Sequence, residues 1–161
     1  MSSFSYGKIE KAIGRVTLNF CSLEDRIASL IAFLLNEHNT EVGIAITAEL
    51  PFRQSLGLLQ NIFKHKGGDQ KEFKKLNRVL RRAEKIADKR NTIIHSFWIP
   101  IPSLDEQYIR KKDRARYKKN SKGIQKQSEI IKVEEILKIA DEILNIAGEI
   151  YQFELDRSIL D

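Results

Sequence analysis

Cysteine occurs once in this 161-residue chain, at Cys21, which excludes an intrachain disulfide and weakly favours a reducing compartment. Long apolar runs are missing. The longest, residues 27–35, contains Ser29 and falls far short of the roughly 20 residues that cross a bilayer. The first residues, MSSFSYGKIEKAIG, lack the basic-then-apolar order of a signal peptide, so a cytoplasmic protein with no membrane association is expected. His38, His65 and His95 are scattered, and no Cys/His cluster has metal-ligand spacing. Gly67-Gly68 has no following Lys-Ser/Thr, which argues against a phosphate-binding loop, and no nucleophile elbow is found. No metal and no cofactor are therefore expected. Nor is there a repeat of solenoid length.

Apolar periodicity is present in abundance. Hydrophobic residues make up 42 %, too many for a disordered chain, and the length suits one domain, 1–161. Ile9, Ile13, Val16, Phe20, Leu23, Ile27, Leu30 and Leu34 recur at spacings of three and four, which predicts a long helix over 8–37. Cys21 lies in this stretch and is expected as a small buried hydrophobe rather than a nucleophile. A second helical region, 40–66, is broken or restarted by Pro51, carries Phe52, Leu56, Leu59 and Phe63, and ends at His65-Lys66-Gly67-Gly68. Asp69 can cap a third long helix over 70–96, with the stripe Phe73, Leu76, Leu80, Ala83, Ala87, Arg90 and Ile94. Pro100 and Pro102 stop helical structure. A last helix over 133–155 shows Val133, Ile136, Ala140, Ile143, Ala147 and Ile150. Four such stripes predict an all-α fold, an antiparallel up-and-down helical bundle.

The segment 103–131, before the last helix, has no helical stripe. Residues 107–116 and 123–132 read either as two strands around Asn120-Ser121-Lys122-Gly123 or as a charged loop. Between Arg110 and Lys126 stand nine Lys/Arg and one acid, a local +8 in a chain whose total is +6, so the remainder sums to −2. Arg110, Lys111, Lys112, Arg114, Arg116, Tyr117, Lys118 and Lys119 are the candidate RNA-binding residues, because a local basic patch concentrates a polyanion. Tyr108 and Tyr117 interleave aromatic rings with the cations, as base stacking requires. The same segment also reads as a solvated basic loop.

The stripe of the third helix holds one irregularity: Arg90 puts a permanent charge where the period calls for an apolar residue. Asn91 and His95, four apart, share a helix face, whereas Arg90 and His95 lie about 140° apart on an ideal helix. A guanidinium offers a planar fork that matches phosphate, and an imidazole titrates near neutrality and moves protons. Structural roles are open to the same residues. Arg90 can pair with an acid such as Glu24 or Asp25, His95 can satisfy a carbonyl at the helix C-terminus, and Asn91 can be a surface amide. Phe97 and Trp98 suit core lids better than base platforms.

Arg90-Asn91-Thr92-Ile93-Ile94-His95 resembles the Arg-x(4–6)-His signature of the HEPN family. The long first helix with Cys21-Ser22-Leu23-Glu24, the motif at the end of a later long helix, and the final helix extend the likeness over roughly 8–98 and 133–156. The basic 103–131 segment looks like an insertion. This resemblance implies a HEPN-like bundle that works as a homodimer and a metal-independent endoribonuclease. The catalytic residues would be Arg90, Asn91 and His95, cleaving RNA through attack of the ribose 2′-hydroxyl in toxin–antitoxin or antiviral defence. An antitoxin or other protein would be a further partner. The family equally contains non-catalytic modules that bind nucleotides, nucleic acid or a partner protein. Two departures from an ideal active site stand: the spacing is at the short end of the family's range, and no second acid–base group lies near the motif.

Overall fold

A computed structural model describes residues 6–35, 39–67, 69–102, 104, 106–115 and 124–158, with only the backbone at 40, 113–115, 124–127 and 158. Among these residues it is mainly helical. The order is α1 (Gly7–Leu34), α2 (Thr40–Thr47), α3 (Phe52–His65), α4 (Gln70–Ile94), β1 (Phe97–Pro100), β2 (Gln107–Ala115), β3 (Ile124–Lys132) and α5 (Val133–Ser158). No helix among the described residues is long and apolar enough to cross a membrane.

The predicted stripes become the core. On α1 all eight stripe positions but Ile13, which is partly buried, are closed to solvent. On α5 all six are. Leu56, Leu59 and Phe63 of α3 and Leu76, Leu80, Ala83 and Ala87 of α4 join it, the predicted Phe52, Phe73 and Ile94 are only partly buried, and Val79, Ile86 and Ile93 of α4 are buried beyond the predicted stripe. Each fully buried Leu or Ile contributes roughly 1.5–3 kcal/mol, so these rows dominate stability. Cys21 departs from expectation: it is exposed, because it follows Phe20 on the helix and so turns about 100° away from the core.

Local chemistry sets the boundaries. The Asn39 side chain accepts from Glu41 N at 2.9 Å and starts α2, and Asp69 accepts from Lys71 N at 3.0 Å and starts α4. Gly67, at φ 71°, ends α3 in the left-handed conformation that glycine tolerates. Gly43 lets α2 lie directly on α1: a Cβ there would fall 1.9 Å from the Ala28 carbonyl oxygen.

Helix directions only partly follow the up-and-down expectation. Contacts Lys89–Glu142, Arg82–Glu149 and Lys75–Asp156 run in opposite order along α4 and α5, which are therefore antiparallel. Arg53–Asp88 and Gln60–Asn77 show the same for α3 and α4. α1 and α5 instead run parallel, since Arg15 meets Asp141, Arg26 lies over Tyr151 and Ser29 meets Glu154. The reason is α2. It carries the chain back along α1, so that Phe52 at the start of α3 meets Phe20 near the middle of α1, with ring centroids 4.9 Å apart.

The strands form an antiparallel sheet in the order β1-β2-β3, with Trp98↔Arg110 and Arg110↔Glu129 in register. β2 and β3 pair as the hairpin reading required, while the turn 116–123 lies outside the described residues. β1 is an addition to the sequence reading. Pro100 ends helical structure, yet it sits in a strand, opposite Tyr108. β1 is an edge strand, where a residue without an N–H is tolerated.

Candidate nucleic-acid site at the end of α4

Arg90 sits in the core-facing row of α4, half-buried, because α4 crosses α1 there. Its guanidinium carbon lies 4.8 Å from the centroid of the Phe20 ring, a cation–π contact between the two helices. Its Nη1 donates to Asn91 Oδ1 at 2.9 Å. Its Nε is buried and finds no partner among the described residues. Leaving a charged donor unmatched costs more than leaving a neutral one, so this atom marks where an acceptor would be welcome.

The expected structural partner, an acid near Glu24 or Asp25, is not in contact. Arg90 forms no ion pair within 4.0 Å among the described residues, although its charge is felt at Glu24. Burial raises the Glu24 carboxyl above its ordinary range, and the Arg90 guanidinium draws it partly back. Glu24 as a whole residue is exposed, so this desolvation concerns its carboxyl end, beside a cavity of about 380 Å³ between α1, α2 and the start of α3. A carboxyl raised in the folded state costs folding free energy when ionised, and that cost vanishes as pH falls below the ordinary value of 4.5. Glu24→Gln is therefore expected to be slightly more stable than wild type at pH 7, the two converging below about pH 4.5. Urea midpoints at both pH values check this, and equal midpoints at pH 7 would contradict it.

His95 is the C-cap of α4, and its imidazole is exposed. The carbonyl-capping role considered for it is filled by others. Ser96 Oγ donates to Thr92 O at 2.5 Å, and Trp98 Nε1 donates to Ile93 O at 3.2 Å. Among the described residues His95 engages only its backbone N, which donates to Asn91 O at 3.1 Å. Its side chain is left for other chemistry. Trp98 is the buried lid, whereas Phe97 is 66 % exposed, since adjacent strand residues face opposite ways.

The structure brings Arg90 and Asn91 together but records no contact between Arg90 and His95. The basic segment reaches the same helix end, where Lys112 Nζ donates to Thr92 Oγ1 at 3.2 Å. The other RNA-binding candidates divide. Arg110 is mostly buried and paired with Glu129 across the hairpin, which spends its charge. Lys111 is exposed. For Arg114 the backbone alone is described, and Arg116, Tyr117, Lys118 and Lys119 lie outside the described residues. Tyr108 is buried in the core, so it is not a ring on which bases can stack. The sequence reading passed over the outer face of α4, although its cations repeat there with the same three–four spacing that revealed the apolar stripe.

No protein-family model, no curated protein and no solved structure matches this chain.

Proposed function

We propose that the chain is a metal-independent endoribonuclease of HEPN type that acts as a homodimer. One observation carries this reading: among the described residues Arg90 occupies a core-row position without a carboxylate contact, with Nε buried and unmatched, five residues before an exposed imidazole at His95 that makes no hydrogen bond. A structural arginine would be expected to have found its acid, and a structural histidine its carbonyl.

The chemistry needs no more than these groups. An imidazole accepts the ribose 2′-hydroxyl proton, the freed oxygen bonds to the adjacent phosphorus, and the bond to the 5′-oxygen breaks. A protonated imidazole returns the proton to that 5′-oxygen, leaving a 2′,3′-cyclic phosphate. The Arg90 fork stabilises the added negative charge on the phosphoryl oxygens, with Asn91 fixing its orientation through Oδ1. Two-fold pairing would supply a second imidazole and close the distance between Arg90 and an anion held at His95. In a toxin–antitoxin or defence setting, a protein partner would act by covering this helix end.

A non-catalytic reading has its own support: Arg90 is held on the Phe20 ring and does not touch His95. The two readings separate in one assay. Incubation of the purified chain with single-stranded RNA in EDTA is expected to give fragments ending in 2′,3′-cyclic phosphate. Bound but intact RNA would leave the binding module as the answer.

A further inference from the structure

The three acidic residues of α4 are all committed to neighbouring helices. Glu72 holds Arg157 at 2.7 Å, while Glu84 and Asp88 hold Arg53 at 3.3 and 2.9 Å. Three of its cations are likewise neutralised: Lys75 by Asp156, Arg82 by Glu149 and Lys89 by Glu142. What remains on the outer face is a single row: Lys71, Lys74, Arg78, Arg81 and Lys85. All five are exposed, and among the described residues none has an acidic partner. Their spacing of three, four, three and four aligns them over about 21 Å of helix, at 1.5 Å per residue. Like charges at these spacings repel and weaken a helix, so the row is an arrangement that folding alone does not favour.

The row borders a shallow groove of about 480 Å³ lined by Lys74, Asn77, Arg78, Arg81, Arg82 and Lys85. No apolar or aromatic side chain lines it. A protein-binding surface would carry an apolar centre, and a base-stacking platform would carry rings. Cations alone suit the sugar–phosphate backbone, which is read without regard to sequence. The same three–four spacing leads on through Asp88, already paired, to Thr92, where Lys112 is attached, and then to His95. We infer that the outer face of α4 is a phosphate track that holds an RNA strand and leads it to the His95 end of the helix. The destination rests on the ribonuclease reading; the binding does not.

The test uses the full chain and a fluorescein-labelled single-stranded oligoribonucleotide, with affinity measured by anisotropy over a range of KCl. Neutralising Lys74, Arg78, Arg81 and Lys85 together to Gln is expected to weaken binding at least tenfold at low salt. It should also flatten the slope of log affinity against log salt by about 3, at roughly 0.7 per phosphate contact on a single strand. Arg81→Gln alone should flatten it by about 0.7, a readout that survives should the fourfold variant fold poorly. An unchanged slope in both Gln variants, or a wild-type chain that does not bind RNA, overturns the track. Polyglutamate binding as tight as RNA's and lost in the same variants would make the row a seat for an acidic protein and overturn the RNA assignment. RNA bound along the row without cleavage would leave the track standing and remove the ribonuclease reading. Cleavage with an unchanged slope would do the reverse.

Discussion

Replacing His95 with alanine is expected to lower RNA cleavage by roughly 10²–10⁴-fold, the usual contribution of a positioned acid–base group. The fold should not notice. His95 caps the C-terminus of α4, its imidazole is exposed, and the contact it makes there, His95 N to Asn91 O, belongs to the backbone. The far-ultraviolet circular dichroism and the urea midpoint should therefore match wild type. Arg90→Lys sharpens the assignment. It keeps the charge but loses the planar fork, so it should cleave poorly while still binding RNA. Arg90→Ala should lose cleavage too, with a stability cost of about 0.5–2 kcal/mol from the lost contact with Phe20. A His95→Ala protein that cleaves at the wild-type rate would sink the site assignment, whatever Arg90 variants do.

Phe63→Ala is expected to be the most damaging single substitution in the core, by about 3–5 kcal/mol. Phe63 is 1 % exposed and joins three helices. From α3 its ring lies 6.0 Å from Phe73 of α4 and 5.8 Å from Phe153 of α5, and Arg157 sits over it at 5.0 Å. Truncation leaves a cavity that these rings fill poorly. It also strips the platform from Arg157, whose Nε is already buried without a partner among the described residues and whose Nη1 is tied to Glu72. Urea unfolding followed by circular dichroism should show the loss as a lower midpoint with an unchanged slope. A loss below 1 kcal/mol would mean that the α3–α4–α5 junction is packed differently.

Much of the helical architecture was legible before any coordinates. The row from Ile9 to Leu34 and the row from Val133 to Ile150 name residues that are buried, Ile13 partly, because a period near 3.6 keeps them on one face; Ala28, Ser29, Ile31 and Ala32, buried around the whole end of α1, lie outside that row. Asp69 and Gly67 mark helix boundaries through chemistry local enough to read directly: a side chain that accepts backbone N–H groups and a residue that tolerates positive φ. The β2–β3 pairing agrees with strands placed at 107–116 and 123–132. Less was legible at the surface. Cys21 and Phe97 proved exposed and Tyr108 buried, since on a helix or strand a neighbour one residue away faces elsewhere, and apolar character alone does not say which face is covered.

The candidate site was legible as an anomaly, not as an arrangement. Arg90 stood out because it breaks an apolar row, and that much needs only a period. Whether it meets Glu24, Phe20 or nothing depends on how α4 crosses α1, a contact between residues some seventy positions apart. The same holds for Arg110, spent on Glu129, and for Lys112, drawn to Thr92.

From the sequence by itself came the helices, their buried faces, the boundary residues and the charge carried by each segment, because propensity, period and capping act within a few residues. Only the tertiary structure decided that α1 and α5 run parallel, which acids of α4 are consumed, and therefore which cations stay unpaired. Those outcomes depend on distances between segments far apart in the chain, and a charge becomes available to a ligand only after the fold has determined which charges neutralise one another.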